Sequence, residues 1–215
     1  GAAALDANLA KVAAEHSIAG LEFYGSIPGT IGGALRMNAG CYGTETKDVL
    51  VKGYMLDRAG VMHTMTPDQM GMSYRHVAVD AEMIFIGALF EGETGDPDNI
   101  QARIDELRAR REATQPIQEK TGGSTFANPS AEQLEAACID PATKVWQLID
   151  QVGGRGMQIG GARMSDKHCN FMLNTGEASA ADLENLGNEI RRRVYETYGI
   201  SLRWEIRRIG KVLKE

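Results

Sequence analysis

Five glycines, Gly25, Gly29, Gly32, Gly33 and Gly40, fall within sixteen residues of this chain. They lie in the run Gly25-Ser-Ile-Pro-Gly-Thr-Ile-Gly-Gly-Ala34 and in Arg36-Met-Asn-Ala-Gly-Cys-Tyr-Gly43, which follows at once. Glycine loses more backbone entropy on folding than any other residue. Such density therefore points to positions with φ > 0, or to a backbone that a ligand approaches closely. Successive N–H groups in a glycine-rich turn form a concavity suited to phosphate. The spacing matches neither G-x-G-x-x-G nor G-x-x-x-x-G-K-[ST], so neither the dinucleotide-binding nor the P-loop mechanism is indicated. Read alone, the run suits a structural connection as well as a ligand cradle.

A chain of 215 residues has room for one large domain or two small ones. Its 43% hydrophobic and 24% charged residues are the balance of a soluble globular protein. No stretch approaches the roughly 18 apolar residues that span a bilayer, no signal peptide is visible, and no membrane partner is expected. The formal net charge of −6 argues against nonspecific nucleic-acid binding, which runs on a basic field. Three widely spaced cysteines, Cys41, Cys138 and Cys169, make neither a disulfide framework nor a C-x-x-C metal or redox site. That usage fits a reducing, cytoplasmic setting with no bound metal. The opening Gly1-Ala-Ala-Ala-Leu-Asp6 reads as the middle of a longer sequence.

Leu5, Leu9, Val12 and Ala13 share one face of a helix over residues 5–15, with Gly20 beyond its end. Residues 49–64 read as a β-hairpin turning at Asp57–Gly60, and Met83–Phe90 as a buried strand. Asp96-Pro97 then starts a helix, continued by Ile100, Ile104 and Leu107 and ending in the basic Arg108, Arg110 and Arg111. A domain boundary is placed near residue 92, with this helix opening the second unit. Val145, Leu148, Ile149 and Val152 mark a short helix closed by Gly153-Gly154, and residues 157–162 and 170–174 read as short strands or loops. Ser179-x-x-Asp182 caps a long helix carrying Leu183, Leu186, Ile190 and Val194, with Gly199 at its C′ position. Residues 200–209 alternate with period two and read as a final strand. The class is mixed α+β, without internal repeats.

Three polar islands interrupt this pattern: Ser73-Tyr-Arg-His76, Gly122-Gly-Ser-Thr-Phe-Ala-Asn-Pro129, and Glu205 in the last segment. Arg75 reads equally as a solvated charge, Gly122–Gly123 as a turn that would hold the Ser124 hydroxyl exposed, and Glu205 as an ordinary strand residue. By pleat parity Glu205 faces away from Trp204 and Ile206.

The order of these islands, taken with the glycine loop, resembles the bacterial UDP-N-acetylenolpyruvoylglucosamine reductase (MurB) family. The matching blocks are Gly20-Leu-Glu-Phe23, Ile27-Pro-Gly-Thr-Ile-Gly-Gly-Ala34, Met37-Asn-Ala-Gly-x-Tyr-Gly43, Tyr74-Arg-His76 and Arg110-Arg-x-x-x-Gln-Pro116. They continue as Gly123-Ser-x-Phe-x-Asn-Pro129, Trp146-Gln-Leu-Ile-Asp150, Ile159-Gly-Gly-Ala162, Ser165-x-Lys-His-x-Asn-Phe171 and Glu205-x-x-x-Ile-Gly210. Each block alone is weak; together, across nearly the whole chain, they are specific.

The resemblance implies the C-terminal part of a PCMH/VAO-type FAD-binding domain over residues 1–91, followed by a MurB C-terminal substrate-binding α+β domain over residues 92–215. It implies FAD and NADPH as cofactors and UDP-N-acetylglucosamine enolpyruvate as the partner molecule, reduced to UDP-N-acetylmuramate for peptidoglycan synthesis. Hydride addition to the alkene pushes charge onto the conjugated carboxylate, which calls for a preorganised cation and a positioned acid. By family position those are Arg75 and Glu205 for the intermediate and Ser124 for the proton. Glu205 beside a substrate carboxylate makes electrostatic sense only when protonated or paired with Arg75. The flavin contacts would come from Gly29, Thr30, Gly32, Gly33, Asn38, Gly40 and Tyr42. Substrate contacts would come from Tyr74, Arg111, Asn128, Lys167 and His168.

The family's FAD domain starts well upstream with a further glycine-rich segment, on the order of 80–100 residues by the usual domain sizes, and that part is expected to be missing here. No tyrosine-bearing insertion separates Phe90 from Asp96, which points to the family's shorter subtype. Residues 130–143 read as a surface insertion, and a monomer is expected. Two alternatives stand beside the reductase: a non-catalytic nucleotide-sugar-binding fragment, and another FAD oxidoreductase of the same superfamily. The co-occurrence of Arg75, Ser124 and Glu205 disfavours the latter.

Overall fold

The computed structural model describes residues 1–210. The chain divides into two compact units, Gly1–Arg111 and Glu112–Glu215. The division falls beyond the expected residue 92 because the long helix Pro97–Thr114 buries Ile100, Ile104 and Leu107 in the first unit's core. Among the described residues no helix is long and apolar enough to cross a membrane.

The first unit is built on a three-stranded antiparallel sheet, ordered Met62–Met65, Leu50–Leu56, Ile84–Phe90. The Asp57–Gly60 turn is where the sequence placed it: Asp57 Oδ1 accepts from the amides of Ala59 and Val61, an Asx turn that fixes the hairpin. The third strand is not buried on both faces. It alternates, with Phe85 in the core and Ile84 and Ile86 exposed. The helix Asp6–Glu15 turns only part of the expected face inward: Ala13 is buried and Leu9 packs on the core, joined by Asp6, Ala10 and Ala14, while Leu5 and Val12 are exposed. Gly25 lies against this helix: a Cβ there would touch that of Ala10 at an ordinary 3.5 Å but would meet the Ile104 side chain at 2.7 Å.

The second unit carries a four-stranded antiparallel sheet, ordered Thr121–Ser124, Phe171–Asn174, Ala162–Met164, Gln158–Ile159. Three helices, Ala131–Ala136, Val145–Gln151 and Ala180–Tyr198, complete it. Leu148, Ile149, Met164, Leu186, Ile190 and Val194 are all but solvent-free in its core. The long helix has the expected ends: Ser179 Oγ accepts from the Asp182 amide, and Gly199 takes φ 70°. The segment 131–143 is not structureless, since Ser130 and Gln133 close a capping box on a short helix that buries Leu134. The expected final strand over 200–209 does not form. It reaches only an isolated bridge, Phe126 to Trp204, flanked by Ala127 N–H to Arg203 O and Glu205 N–H to Thr125 O. Trp204 and Ile206 do pack on the core, and Glu205 is half-buried beside them.

Candidate functional site

The glycine loop of the first unit closes on the chain's own start rather than opening an amide cradle. Asp6 N–H donates to Gly29 O, Ile31 N–H to Ala4 O, and Gly32 N–H to Ala2 O at 2.8 Å. Thr30 caps the helix Ile31–Met37, its Oγ accepting from Gly33 N–H at 3.5 Å. The first-turn donors that would hold a phosphate are thus already engaged within the protein. Gly29 and Gly33 present exposed, side-chain-free backbone. Gly40 has a different reason to be glycine: it is buried, and a Cβ there would lie 2.4 Å from Thr44 O across the tight Gly40–Cys41/Thr44–Glu45 pair.

Within the first unit, the backbone downstream of that helix is strained at three non-glycine positions, Asn38 (φ 42°), Tyr42 (φ 55°) and Arg75 (φ 53°). Each costs on the order of 1–2 kcal/mol in the left-handed region. Arg75 sits at the tip of a two-residue hairpin, where Ser73 and His76 exchange both backbone hydrogen bonds. Its guanidinium donates to Gly40 O at 2.7 Å and Asn38 O at 3.4 Å, and lies 5.1 Å from the Tyr74 ring centre. Arg110, which the sequence reading did not assign, stacks 4.9 Å from the centre of the Tyr42 ring. Burial lowers the pKa of Arg111, and the like charge of Arg75 adds to this against the pull of Cys41 and Tyr42. Burial raises both the Cys41 thiol and the Tyr42 phenol. The first unit therefore gathers cations around a strained loop, an arrangement suited to an anionic ligand.

A buried carboxylate escaped the sequence reading. Asp6 is 1% exposed, its Oδ1 has no hydrogen-bond partner, and burial raises its pKa from 3.8 to about 6. Its Oδ2 would stand 2.9 Å from a Cβ on Gly29. Nothing in the local sequence distinguishes this Asp from an ordinary first-turn acid. An orphan acceptor against an exposed glycine backbone fits a group that brings N–H or O–H donors, as the ring and ribityl parts of a flavin do; it does not suit a pyrophosphate.

In the second unit, Ser124 ends its strand opposite Phe171, beside a register shift, and the preceding Gly123 has φ 89°. A bulge of this kind re-aims a side chain. Asn170 secures the segment: its amide accepts from Phe126 N–H at 3.0 Å and donates to Phe126 O at 2.9 Å, and its main-chain O accepts from Thr125 N–H at 2.7 Å. Glu205 N–H to Thr125 O brings the Glu205 backbone alongside the residue after Ser124, so these two predicted residues share one corner of the unit. Asn128, Lys167 and His168 are engaged in the protein. Asn128 Oδ1 accepts from Val145 N–H, and the Lys167 ammonium donates to Glu112 O. The His168 ring is held against Phe171, its Nδ1 accepting from Asn170 N–H, and burial lowers its pKa, which favours a neutral imidazole. A cavity of about 480 Å³ is lined by Lys167, Arg163, Gln115 and Asp166, but not by Ser124, Asn128 or Glu205.

Comparison with known proteins agrees with this architecture. Residues 115–209 match the family described as UDP-N-acetylenolpyruvoylglucosamine reductase, C-terminal domain. The UDP-N-acetylenolpyruvoylglucosamine reductase of Phenylobacterium zucineum is 55% identical over 213 residues, covering 98% of this chain and 67% of its own. That of Maricaulis maris is 53% identical over 216 residues, covering 99% and 66%. The crystal structure of the reductase from Thermus caldophilus superimposes with a TM-score of 0.77 at 30% identity, over 94% of this chain and 68% of its own. The chain thus spans about two thirds of the length of these relatives, 66% in the case of Maricaulis maris.

Proposed function

Since the chain belongs to the UDP-N-acetylenolpyruvoylglucosamine reductase family, we propose that it serves NADPH-dependent, FAD-mediated reduction of UDP-N-acetylglucosamine enolpyruvate to UDP-N-acetylmuramate, in the cytoplasm. The observation that carries the reading is the pairing of Glu205 with the Ser124–Phe126 segment. It places a hydroxyl and a carboxyl on neighbouring backbone in the unit that matches the family's C-terminal domain.

When bound, the flavin supplies hydride, drawn from NADPH, to the terminal alkene carbon of the substrate. The exposed backbone of Gly29 and Gly33, the Cys41–Tyr42 segment and the orphan Asp6 carboxyl would hold it. Arg75, its guanidinium anchored on two carbonyls, sets a fixed positive charge for the substrate carboxylate, where negative charge accumulates as the alkene is reduced. Arg110, stacked on the Tyr42 ring, and Arg111 add positive charge that would meet the substrate's phosphates. The Ser124 hydroxyl delivers a proton to the carbon next to the carboxylate. Glu205 supports the same charge, in its protonated form or through a cation.

The experiment is spectroscopic. Protein incubated with FAD should be yellow, bleach with NADPH, and regain colour when the enolpyruvyl substrate is added. Colourless protein that takes up no FAD, or reduced protein that the substrate does not reoxidise, would overturn the proposal and leave a nucleotide-sugar-binding role. Ser124→Ala should keep bleaching at the wild-type rate and slow reoxidation by about 10²–10⁴-fold, the usual worth of general acid catalysis. Equal slowing of both half-reactions would contradict the acid role.

A further inference from the structure

Asn38 is fully buried at the C-terminus of the helix Ile31–Met37, in the left-handed conformation. Its side chain is used up. Nδ2 donates to Ser73 O at 3.0 Å and to Glu45 Oε2 at 3.1 Å, and Oδ1 accepts from Lys47 N–H at 3.0 Å. A carboxamide has two N–H bonds, and both are spent here, so none is left for a ligand. One of these bonds reaches the segment that carries Arg75. Ser73 is the base of the hairpin whose tip is Arg75, and Arg75 Nη1 donates to the main-chain O of Asn38 itself. Asn38 thus holds the Arg75 hairpin at its base through the amide and at its guanidinium through the backbone. Arg75 Nη2 is fixed on Gly40 O, two residues further along the same strained loop.

We propose that Asn38 is a positioning residue for Arg75, fixing where the guanidinium meets the substrate carboxylate, and is not a flavin ligand. The inference rests on the proposed function and deepens it. An unrestrained arginine in a left-handed hairpin has many rotamers, and only one places charge where the reaction develops it. Misplacement of about 1 Å at such a group costs on the order of 100-fold in rate.

The test uses Asn38→Gly in the flavin-loaded protein, because glycine keeps φ 42° without strain and deletes only the amide. Reoxidation of the reduced flavin by the enolpyruvyl substrate should slow by about 10- to 100-fold. Flavin affinity, flavin absorbance and reduction by NADPH should stay at wild-type values. In an Arg75→Ala background the same change should add nothing, the signature of one residue acting through the other. Weakened flavin binding, equal slowing of both half-reactions, or additive effects would overturn the proposal. Should Asn38→Gly not fold, Glu45→Ala, which frees one of the two Nδ2 bonds, must show the same selective loss of reoxidation. Should wild-type protein show no reoxidation, the functional reading fails, and the positioning role is read separately. Amide hydrogen exchange at Ser73 and His76 must then quicken in Asn38→Gly, and unchanged exchange there refutes it.

Discussion

Gly187 lies inside the long helix Ala180–Tyr198, where glycine is ordinarily a liability, and the structure gives a reason for it. A Cβ there would stand 1.9 Å from Trp204 Cη2, 2.6 Å from Cζ3 and 3.0 Å from Cζ2. Carbon atoms pack at about 3.5–4.0 Å, so the ring would have to withdraw by roughly 1.5–2 Å from its present seat. The atoms met belong to the rigid six-membered ring and cannot swing aside. The indole is further confined by Phe126, 4.9 Å away between ring centres, and by Arg191 and Arg208 on its faces. Gly187→Ala gains about 1 kcal/mol of helix propensity. Overpacking of a filled site costs typically 1–3 kcal/mol, and more when backbone must move; this clash belongs at or above the upper end. A net loss of about 1–2 kcal/mol is expected, lowering Tm by about 2–8 °C for a chain of this size. Urea denaturation followed by both tryptophan fluorescence and circular dichroism would measure it. Because Trp204 adjoins Glu205 in sequence, reoxidation of the flavin by substrate should also slow while reduction by NADPH does not. A variant stabilised by about 1 kcal/mol, as alanine would be at an exposed helical site, refutes the argument.

Asn170→Ala removes two buried hydrogen bonds and leaves both backbone groups of Phe126 unpaired. It should cost about 2–4 kcal/mol, read as a drop in the urea midpoint at constant slope. Asp6 gives a pH signature. Burial lifts its pKa from 3.8 to about 6 in the folded state, so the folded protein holds the proton longer than the unfolded chain does. Its contribution to stability is therefore greatest below pH 3.8, falls as pH rises through that window, and is constant above about 6. Asp6→Asn should abolish this slope and raise neutral-pH stability in the flavin-free protein; parallel pH profiles for the two proteins would exclude it. In the flavin-loaded protein the same variant should bind FAD differently from wild type, measured by fluorescence titration, and unchanged affinity would remove Asp6 from the flavin site. Glu205→Gln tests the charge state of the carboxyl: a variant that keeps wild-type rates of flavin reoxidation across pH would show that an ionised carboxylate is not required.

What the sequence could reveal depended on the distance over which each signal acts. The Asp57 turn and the Ser179 and Gly199 caps are local events, written in adjacent residues, and they form where expected. The Ser130–Gln133 capping box is equally local, and it starts the short helix within the 130–143 segment. Period-two alternation over 200–209 describes side-chain direction, but a strand also needs a neighbour, and this segment meets one only at Trp204. The inward face of the first helix was only half legible for a similar reason, with Leu9 and Ala13 on the core but Leu5 and Val12 exposed. Which side is buried depends on partners outside the helix, among them Phe23, Ile100 and Ile104, and that side takes alanines. At the candidate site the residue types were legible, while their partners were not. Nothing near Asn38 announces Ser73, and nothing near Asn170 announces Phe126.

The pairing of residues 2–6 with 29–32 also bears on how the glycine loop forms during synthesis. Asp6 and Gly29, Ala4 and Ile31, Ala2 and Gly32 are partners only some two to three dozen residues apart along the chain. Closing a loop of that length carries a modest entropic cost, and each doubling adds only about 0.6 kcal/mol. Contacts this local form early compared with long-range sheet pairings. The buried side of the loop packs on Phe85 and Ile104, so its final shape is set once those residues are available, still ahead of the segment bearing Ser124. A polypeptide ending after the helix Pro97–Thr114 should then hold a glycine loop resistant to protease, and one ending before Phe85 should not.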